Sequence, residues 1–339
     1  MNRFVDVAVI GAGHAGLNAF KEIRRLTHDS LLINGGALGT TAARIGCMPS
    51  KVAIHLGDTD QKRTAFDRHG ISGASDLQID QTGAPEHARE HRDTSVDLVL
   101  ANTTHEMDQQ HLIEDFAAFT GPRTLKVGDD VVTANAIIVA TGARSVIPEA
   151  WRDYAEGILT MDTLFEQASL PESIAVTGLG PIGIEIGQAL HRMGVRLVGI
   201  EKGATISRLA DAGINRAACV ILEHEFSLWL GEAPEIQRDG EAFPVRAGGR
   251  EARSTRSFSP PAGPRTPAGP ASIACRSAAI RTACRATIRQ PSGSMGCRSI
   301  SRAMQPAVAP ICSGQWSRAG LRTITRFIAS RSPSERKHR

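Results

Sequence analysis

The segment GTTAARIGCMPSK, residues 39–51, holds the side chain best suited to redox chemistry in this sequence, the thiol of Cys47. A thiolate is the nucleophile in disulfide exchange, and the mixed disulfide that it forms must be resolved by a second sulfur. The segment has no second cysteine, and Ala42 precedes Cys47 by five positions. Two interpretations of Cys47 therefore stay open, a reactive thiolate and a buried, inert thiol.

Two other segments have the pattern of a nucleotide-binding glycine turn. The first, FVDVAVIGAGHAGLNAFKEIRRL, places Gly11, Gly13 and Gly16 between an apolar strand and a helical pattern. Gly11 permits the tight turn, Gly13 lets the backbone approach a pyrophosphate, and Gly16 lets the helix pack closely on the strand. The next strand, SLLIN, ends at Asn34, which can hydrogen-bond a ribose hydroxyl without the charge assistance of a carboxylate.

The second glycine turn lies in SIAVTGLGPIGIEIGQALHRMGVRLVGIEK, where Gly178, Gly180 and Gly183 repeat the spacing. Glu201 ends the following strand, where an acid can hold the ribose 2′-hydroxyl, which favours NAD over NADP. Two such turns, each between a strand and a helix, predict dinucleotide binding. The alternative is tight helix-to-strand packing without a ligand.

The charge of the chain is distributed unevenly. Residues 1–250 contain 23 Lys and Arg against 33 Asp and Glu, whereas residues 251–339 contain 16 against 2, and the whole chain of 339 residues has a net charge of +4. No apolar run is long enough to span a membrane, and the six cysteines have no spacing typical of a zinc site or a disulfide framework. We expect a cytoplasmic protein with no metal and no membrane partner.

Taken in order, the two glycine turns, the segment GTTAARIGCMPSK and the later IIVATGARSVIP resemble the pyridine nucleotide-disulfide oxidoreductases, most closely the dihydrolipoamide dehydrogenase group. The resemblance covers residues 1 to about 250 and implies FAD and NAD as cofactors. It also implies that Cys47 is the thiolate next to the flavin, that Lys51 pairs with Glu185 beside it, and that position 42 would hold the sulfur that attacks the substrate.

The resemblance further implies which residues bind the two dinucleotides. For the FAD domain these are Gly11, Gly13, Gly16, Asn34, Thr40, Thr41, Lys51, Thr141, Gly142 and Ala143. For the NAD domain they are Gly178, Gly180, Gly183, Glu185 and Glu201. The substrate implied is a small-molecule or lipoyl disulfide, and the ancestral protein is a homodimer.

From residue 251 the composition changes to Arg, Ser, Ala and Pro with few acids, which predicts disorder. A shifted reading frame explains this change. Read from each codon's third base, residues 253–263 can spell Val-Asp-Ala-Leu-Phe-Leu-Ala-Ala-Gly-Arg, and residues 301–305 can spell Ala-Gly-Asp-Ala, a flavin-contacting motif of the family. The alternative, a basic tail for nucleic acid, is disfavoured because aromatic residues for stacking are sparse, and we expect no nucleic-acid partner.

These observations predict an α/β protein with two incomplete Rossmann-like domains, 1–145 for FAD and 146–250 for NAD, followed by a disordered, out-of-frame tail at 251–339. A frame shift would remove the last NAD-domain strand, the segment that returns to the FAD domain and the dimer domain. We therefore expect no homodimer and no disulfide turnover. Two alternatives remain: a single-cysteine flavin NADH oxidase or peroxidase, and a non-enzymatic nucleotide-binding protein with a basic tail.

Overall fold

A computed structural model describes residues 2–142, 145, 147–240, 242–259 and 308–310. These residues divide into two compact units, the first from 2–41, 97–142 and 308–310, and the second from 42–96 and the described part of 145–259. The second unit therefore includes residues 42–96, which the sequence analysis assigned to the FAD domain. Most of the predicted disordered tail, residues 260–307 and 311–339, lies outside the described residues.

The strands are numbered along the chain. They are β1 (Asn2–Ile10), β2 (Ser30–Ile33), β3 (Leu112–Ile113), β4 (Ala117–Gly121), β5 (Thr124–Val127), β6 (Asp130–Val139), β7 (Ile158–Leu159), β8 (Ser173–Thr177), β9 (Arg196–Glu201), β10 (Ser227–Leu230), β11 (Glu235–Ile236), β12 (Phe243–Ala247), β13 (Arg250–Ser254), β14 (Arg256–Phe258) and β15 (Val308–Pro310).

The α-helices are numbered in the same way. They are α1 (His14–Arg24), α2 (Thr41–Arg44), α3 (Cys47–Gln61), α4 (Gly83–Ala101), α5 (Pro181–Arg192) and α6 (Ala212–Glu223). Short 3-10 helices occupy Lys62–Ala65, Asp67–His69, Ala74–Asp76, Gln109–His111, Glu149–Gly157 and Leu164–Glu166. Among the described residues, no helix combines the length and apolar character that a bilayer crossing requires.

The first unit is built on a sheet with the strand order β3-β2-β1-β6-β5-β4, and β15 also pairs with β6. β1 runs parallel to both β2 and β6. Val7 and Val9 pack with Phe20 of α1 on one face, and Ala8 and Ile10 pack into the core on the other face. Burial on both faces explains the nearly continuous apolar run of this strand.

The second unit is built on a parallel sheet with the order β10-β9-β8-β14-β7, and β11, β12 and β13 form a separate antiparallel sheet. β8 is buried along its whole length and leads into α5, which packs on the sheet through Ile186 and Leu190. Both units thus have a parallel strand, a glycine turn and a helix in succession, and the predicted α/β class is confirmed.

Regular structure continues beyond residue 250, where the sequence analysis placed the end of the second domain. β14 lies between β8 and β7, and Phe258 is fully buried. β14 thus occupies a position in this sheet where the sequence analysis expected a strand to be missing. Likewise, the backbone of β15 pairs with β6 in the first unit, where no returning segment was expected.

Candidate functional site

The first glycine turn connects β1 to α1 at the carboxyl ends of β1, β2 and β6. Gly11 has φ +105°, and its N–H donates to the carbonyl of Ile33 over 2.7 Å. A Cβ at Gly11 would lie 2.4 Å from the carbonyl oxygen of Ala140, and a Cβ at Gly16 would lie 1.7 Å from the carbonyl oxygen of Gly11. A Cβ at Gly13 would contact nothing within 4 Å, so the turn is closed on the protein side and open at Gly13.

Asn34, the residue after β2, is hydrogen-bonded to this turn. Its Oδ1 accepts the N–H of Ala12 over 3.0 Å, and its Nδ2 donates to the carbonyl of Gly36 over 2.5 Å. The amide therefore braces the turn through Oδ1 and its own loop through Nδ2. One Nδ2 hydrogen and one Oδ1 lone pair remain for a ligand hydroxyl.

The other predicted FAD contacts in the first unit lie on two loops. Thr141 and Gly142 follow β6, and Gly142 has φ +70°, a conformation that favours glycine. Thr40 is buried with φ +64°, and Thr41 is the exposed first residue of α2. Ala143 lies outside the described residues.

The second glycine turn repeats the geometry of the first. Gly178 has φ +114°, and its N–H donates to the carbonyl of Ile200 over 2.7 Å. Gly180 caps α5, and a Cβ there would contact nothing within 4 Å. Gly183 is buried in the first turn of α5. Both turns thus leave space beside the N-terminus of a helix, where backbone N–H groups and the helix dipole favour phosphate.

Glu201, the last residue of β9, has the position in the second unit that Asn34 has in the first. Its Oε2 accepts the N–H of Leu179 over 2.9 Å, and its Oε1 accepts the N–H of Gly203 over 3.1 Å. A carboxylate has about four acceptor sites, so Glu201 can also accept hydrogen bonds from ribose hydroxyls. The turn, the helix end and the acid together fit a dinucleotide.

The thiol segment lies in the second unit. Cys47 is exposed and is the first residue of α3, and Lys51, one turn later, donates to Glu185 of α5. The hydroxyl of Ser50 lies 2.9 Å from Glu185 Oε1 and 3.1 Å from the carbonyl oxygen of Cys47. These four residues form the thiol cluster. Ala42, at the position for which the resemblance implies a second sulfur, lies in α2.

The exposure of Cys47 contradicts its interpretation as a buried, inert thiol. That description fits Cys219, which is buried in α6. Burial raises the pKa of the Cys219 thiol, and the carboxylate of Glu223 raises it further. Cys219 therefore stays protonated and packed in the core, and it does not replace the sulfur that is missing at position 42.

Ser50, which lies between the backbone carbonyl of Cys47 and the carboxylate of Glu185, was not among the residues predicted from the sequence. Its position three residues after Cys47 places it one helical turn away, but only the packing of α3 against α5 shows that it reaches the carboxylate. Backbone donors such as the N–H of Leu179 were also missed, because every residue except proline has such a group and no residue type marks it.

The comparisons with known proteins agree with this geometry. A family model described as pyridine nucleotide-disulphide oxidoreductase matches residues 5–247. The chain belongs to this family. The family comprises flavin-dependent oxidoreductases linked to NAD or NADP, so FAD fits the first glycine turn and a pyridine nucleotide fits the second.

Two curated relatives represent the similarity in sequence. A mercuric reductase from Bacillus cereus is 26% identical over 241 residues, which are 70% of this chain and 37% of that protein. Dihydrolipoyl dehydrogenase 2, chloroplastic, from Arabidopsis thaliana is 27% identical over 199 residues, which are 58% of this chain and 35% of that protein. The chain thus spans little more than a third of the length of either relative.

A solved structure of the Cu(II) complex of RclA, an HOCl-induced flavoprotein disulfide reductase from Escherichia coli, has the same fold. Its TM-score is 0.65 at 20% identity, with 80% of this chain and 58% of that chain covered. The pyridine nucleotide-disulphide oxidoreductase fold is therefore present over the described residues of both units.

Proposed function

We propose that this chain binds FAD at the first glycine turn and NAD at the second. We also propose that, with its present sequence, it does not turn over a disulfide substrate. The observation that carries the proposal is the duplicated turn. In each unit a glycine with positive φ closes the turn, and the side chain that ends the next strand accepts a backbone N–H from it. Bound FAD would supply the two-electron chemistry that connects pyridine nucleotide and sulfur.

The preference for NAD over NADP rests on Glu201. Its carboxylate can accept hydrogen bonds from both ribose hydroxyls, whereas the 2′-phosphate of NADP would be repelled by the negative charge of the carboxylate. The N–H groups of Leu179 and Gly203 hold the carboxylate in place at the end of β9. The negative charge at this position therefore discriminates between the two nucleotides.

The thiol cluster supports only half of a disulfide exchange. The Cys47 thiolate can attack one sulfur of a disulfide and expel the other as a thiolate, which leaves Cys47 in a mixed disulfide. Release of the second product requires a further thiolate to attack the Cys47 sulfur. Within the part of the chain that the structure describes, Ala42 has none, and the other cysteine, Cys219, is buried. We infer that the reaction stops at the mixed disulfide.

The proposal is tested with the purified full-length chain, NADH and lipoamide. We expect no steady-state lipoamide reduction and a covalent adduct on Cys47, detected by mass spectrometry after treatment with a small disulfide. Ala42→Cys should remove the adduct, because a resolving sulfur is restored, and Cys47→Ser should never form it. Steady-state turnover by the unaltered chain would overturn the proposal.

A second candidate, a single-cysteine peroxidase, is favoured by the exposure of Cys47 without a second sulfur beside it in the described thiol segment. The thiolate would attack hydrogen peroxide, forming sulfenic acid and releasing hydroxide. Peroxide-dependent oxidation of NADH that is lost in Cys47→Ser would favour this candidate. Unchanged oxidation in Cys47→Ser would exclude it.

We also propose that the frame shifts near codon 250. The support comes from β14, where the polar side chain of Ser257 is fully buried. The alternative reading frame spells the apolar run Leu-Phe-Leu at this strand, which suits a buried position better. Restoring that frame should give a yellow, dimeric product, measured by flavin absorbance and size-exclusion chromatography. A colourless monomer from the restored frame would contradict the proposal.

A further inference from the structure

Two histidines of α4, His87 and His91, lie next to each other on the helix surface. His87 and His91 are four residues apart, both are exposed, and their Nε2 atoms are 3.1 Å apart. Their rings meet edge to face, with centroids 4.4 Å apart and planes at 84°. Because residues four apart share one helix face, the helix itself holds the two imidazoles together. Ala88, between them in sequence, is buried on the packed side.

The separation of the two nitrogens matches a chelate. With metal–nitrogen bonds of about 2.0–2.1 Å, nitrogens that are 3.1 Å apart form an angle of roughly 100° at the metal. In the absence of metal, one ring donates its Nε2 proton to the lone pair of the other, and a cation can replace that proton and accept both lone pairs. We propose that His87 and His91 form a bidentate site for a divalent ion of the Cu(II) or Ni(II) class, with water completing the coordination.

Glu90 supports this arrangement. Its Oε2 lies 3.8 Å from Nδ1 of His87, on the side of the ring opposite the proposed metal. This distance is too long for a hydrogen bond, so the carboxylate acts through its charge, which favours the tautomer with the proton on Nδ1 and leaves Nε2 free to ligate. Glu90 is thus a positioning residue for His87.

The chemistry of the site selects the ion. Imidazole ligands suit late first-row metals, and affinity for a given nitrogen site rises through Ni(II) to Cu(II). The N–metal–N angle of roughly 100° is smaller than the tetrahedral angle and lies near the right angle between neighbouring ligands of square-planar and tetragonal ions. Among the described residues, no group of three or more His, Cys, Asp and Glu side chains could hold a metal, so the site has two protein ligands. From the sequence, no metal was expected, and these histidines were assigned to a solvated helix face.

The test titrates NiCl2 into the full-length chain by isothermal titration calorimetry, since Ni(II) does not oxidise the thiol of Cys47. The variants are His87→Asn and His91→Asn, and the matched control is His69→Asn, which removes an exposed histidine from the 3-10 helix Asp67–His69. Loss of an outer-shell partner alone lowers metal affinity about 10–100-fold. We therefore expect each α4 variant to lose at least that much affinity, and the control to lose none.

A rescue variant tests the spacing directly. In a chain that carries His87→Asn, Ser95→His places a new pair at positions 91 and 95, again four residues apart, and should restore Ni(II) binding. Glu90→Gln should weaken binding by less than the loss of either histidine. Circular dichroism of each variant establishes that α4 is still folded. Equal Ni(II) affinity in His91→Asn and His69→Asn, or no rescue by Ser95→His in a folded chain, would overturn the proposal.

Discussion

The two glycine turns share a backbone. Gly11 and Gly178 have φ values of +105° and +114°, and each donates its N–H over 2.7 Å to the last or next-to-last residue of the neighbouring strand, Ile33 or Ile200. This agreement between segments of different sequence shows that strand, turn and helix fix the geometry, and that side-chain differences around the turn are free to set ligand preference.

The side chains that brace the turns differ in charge. Asn34 accepts the N–H of Ala12 over 3.0 Å, and Glu201 accepts the N–H of Leu179 over 2.9 Å. The hydrogen bond to the turn is nearly the same, but only Glu201 places a carboxylate beside its turn. The two turns therefore differ in the charge of this side chain and not in backbone geometry.

The strand on the other side of each turn differs in length between the two units. In the first unit it is β6, ten residues long, and in the second it is β14, only three residues long. The hydroxyl of Ser257 in β14 is buried without a hydrogen-bond partner among the described atoms. The hydroxyl of Ser30 in β2 of the first sheet is buried without a partner in the same way, so strand length is the feature that distinguishes the two sheets.

The largest expected effect concerns the first turn. Gly16→Ala should destabilise the chain by at least about 3 kcal/mol, because the new Cβ would overlap the carbonyl oxygen of Gly11, and a backbone atom yields less readily than an overpacked side chain. Urea unfolding measures the loss. The control is Gly36→Ala, where a Cβ contacts nothing within 4 Å. Equal stabilities of the two variants would show that the turn is looser than described.

The second prediction compares the arginines that end the helices after the two turns. Arg192 of α5 donates to both oxygens of Glu225 over 2.7 and 2.8 Å and also pairs with Asp58. Arg24 of α1 donates to two neutral groups, the carbonyl of His28 and Nε2 of His111, each over 2.9 Å. Arg192→Ala should cost about 2–4 kcal/mol, because it leaves a mostly buried carboxylate unpaired, and Arg24→Ala about 1–2 kcal/mol. Urea unfolding measures the loss of stability in each variant, and similar losses would show that the two arginines contribute equally.

The Arg192 pair also predicts a pH dependence. Burial raises the pKa of Glu225, but the hydrogen bonds from Arg192 and Gln188 outweigh burial, and the net pKa lies below its usual value of 4.5. Its contribution to stability is therefore present above pH 4.5 and is lost as the pH falls through the lowered pKa. The difference in unfolding free energy between the wild type and Glu225→Gln should shrink over that acid range. A difference independent of pH would contradict the assignment.

The third prediction makes the second turn resemble the first. Glu201→Asn keeps an acceptor for the turn but removes the charge, so the preference for NADH over NADPH should fall by roughly 1–3 kcal/mol, about 5–150-fold. Fluorescence titration with both nucleotides measures the ratio. The control is Glu172→Gln, an exposed carboxylate paired with Arg196. An unchanged ratio in Glu201→Asn would show that another residue discriminates between the nucleotides.

The smallest expected effect concerns β14. Ser257→Ala should stabilise the chain by about 1 kcal/mol, because it removes a buried hydroxyl that lacks a partner. Ser254→Ala is the matched control and should destabilise by about 1 kcal/mol, since the Ser254 hydroxyl donates to the carbonyl of Phe243 over 2.8 Å. Thermal unfolding shows whether each variant is more or less stable than the wild type. A loss of stability in Ser257→Ala would mean that its hydroxyl is satisfied.

The sequence predicted the features that depend on local pattern. Gly11 and Gly178 mark the turns because few other residues adopt their φ values, and Asn34 and Glu201 are found by counting to the end of the next strand. Long-range placement was not predictable in this way. That residues 42–96 join the second unit, and that β14 inserts between β8 and β7, depends on packing between segments far apart in the chain.

The thiol cluster shows the same limit. Cys47 and Lys51 stand out by residue type, and their relation to Glu185 came from family resemblance. Ser50 and the burial of Cys219 became apparent only from the packing of the helices. A residue's chemistry can be read from its type, but its exposure and its partners depend on the fold.

The position of β14 also has a consequence for synthesis of the chain. β7 and β8 are consecutive strands, yet each pairs with β14, whose residues follow those of β8 by about 80 positions. A ribosome therefore completes both strands well before their common neighbour emerges. Until residue 258 is made, the two strands present unpaired edges, which can recruit other chains. A nascent chain halted before β14 would thus be a substrate for chaperones and a seed for aggregation.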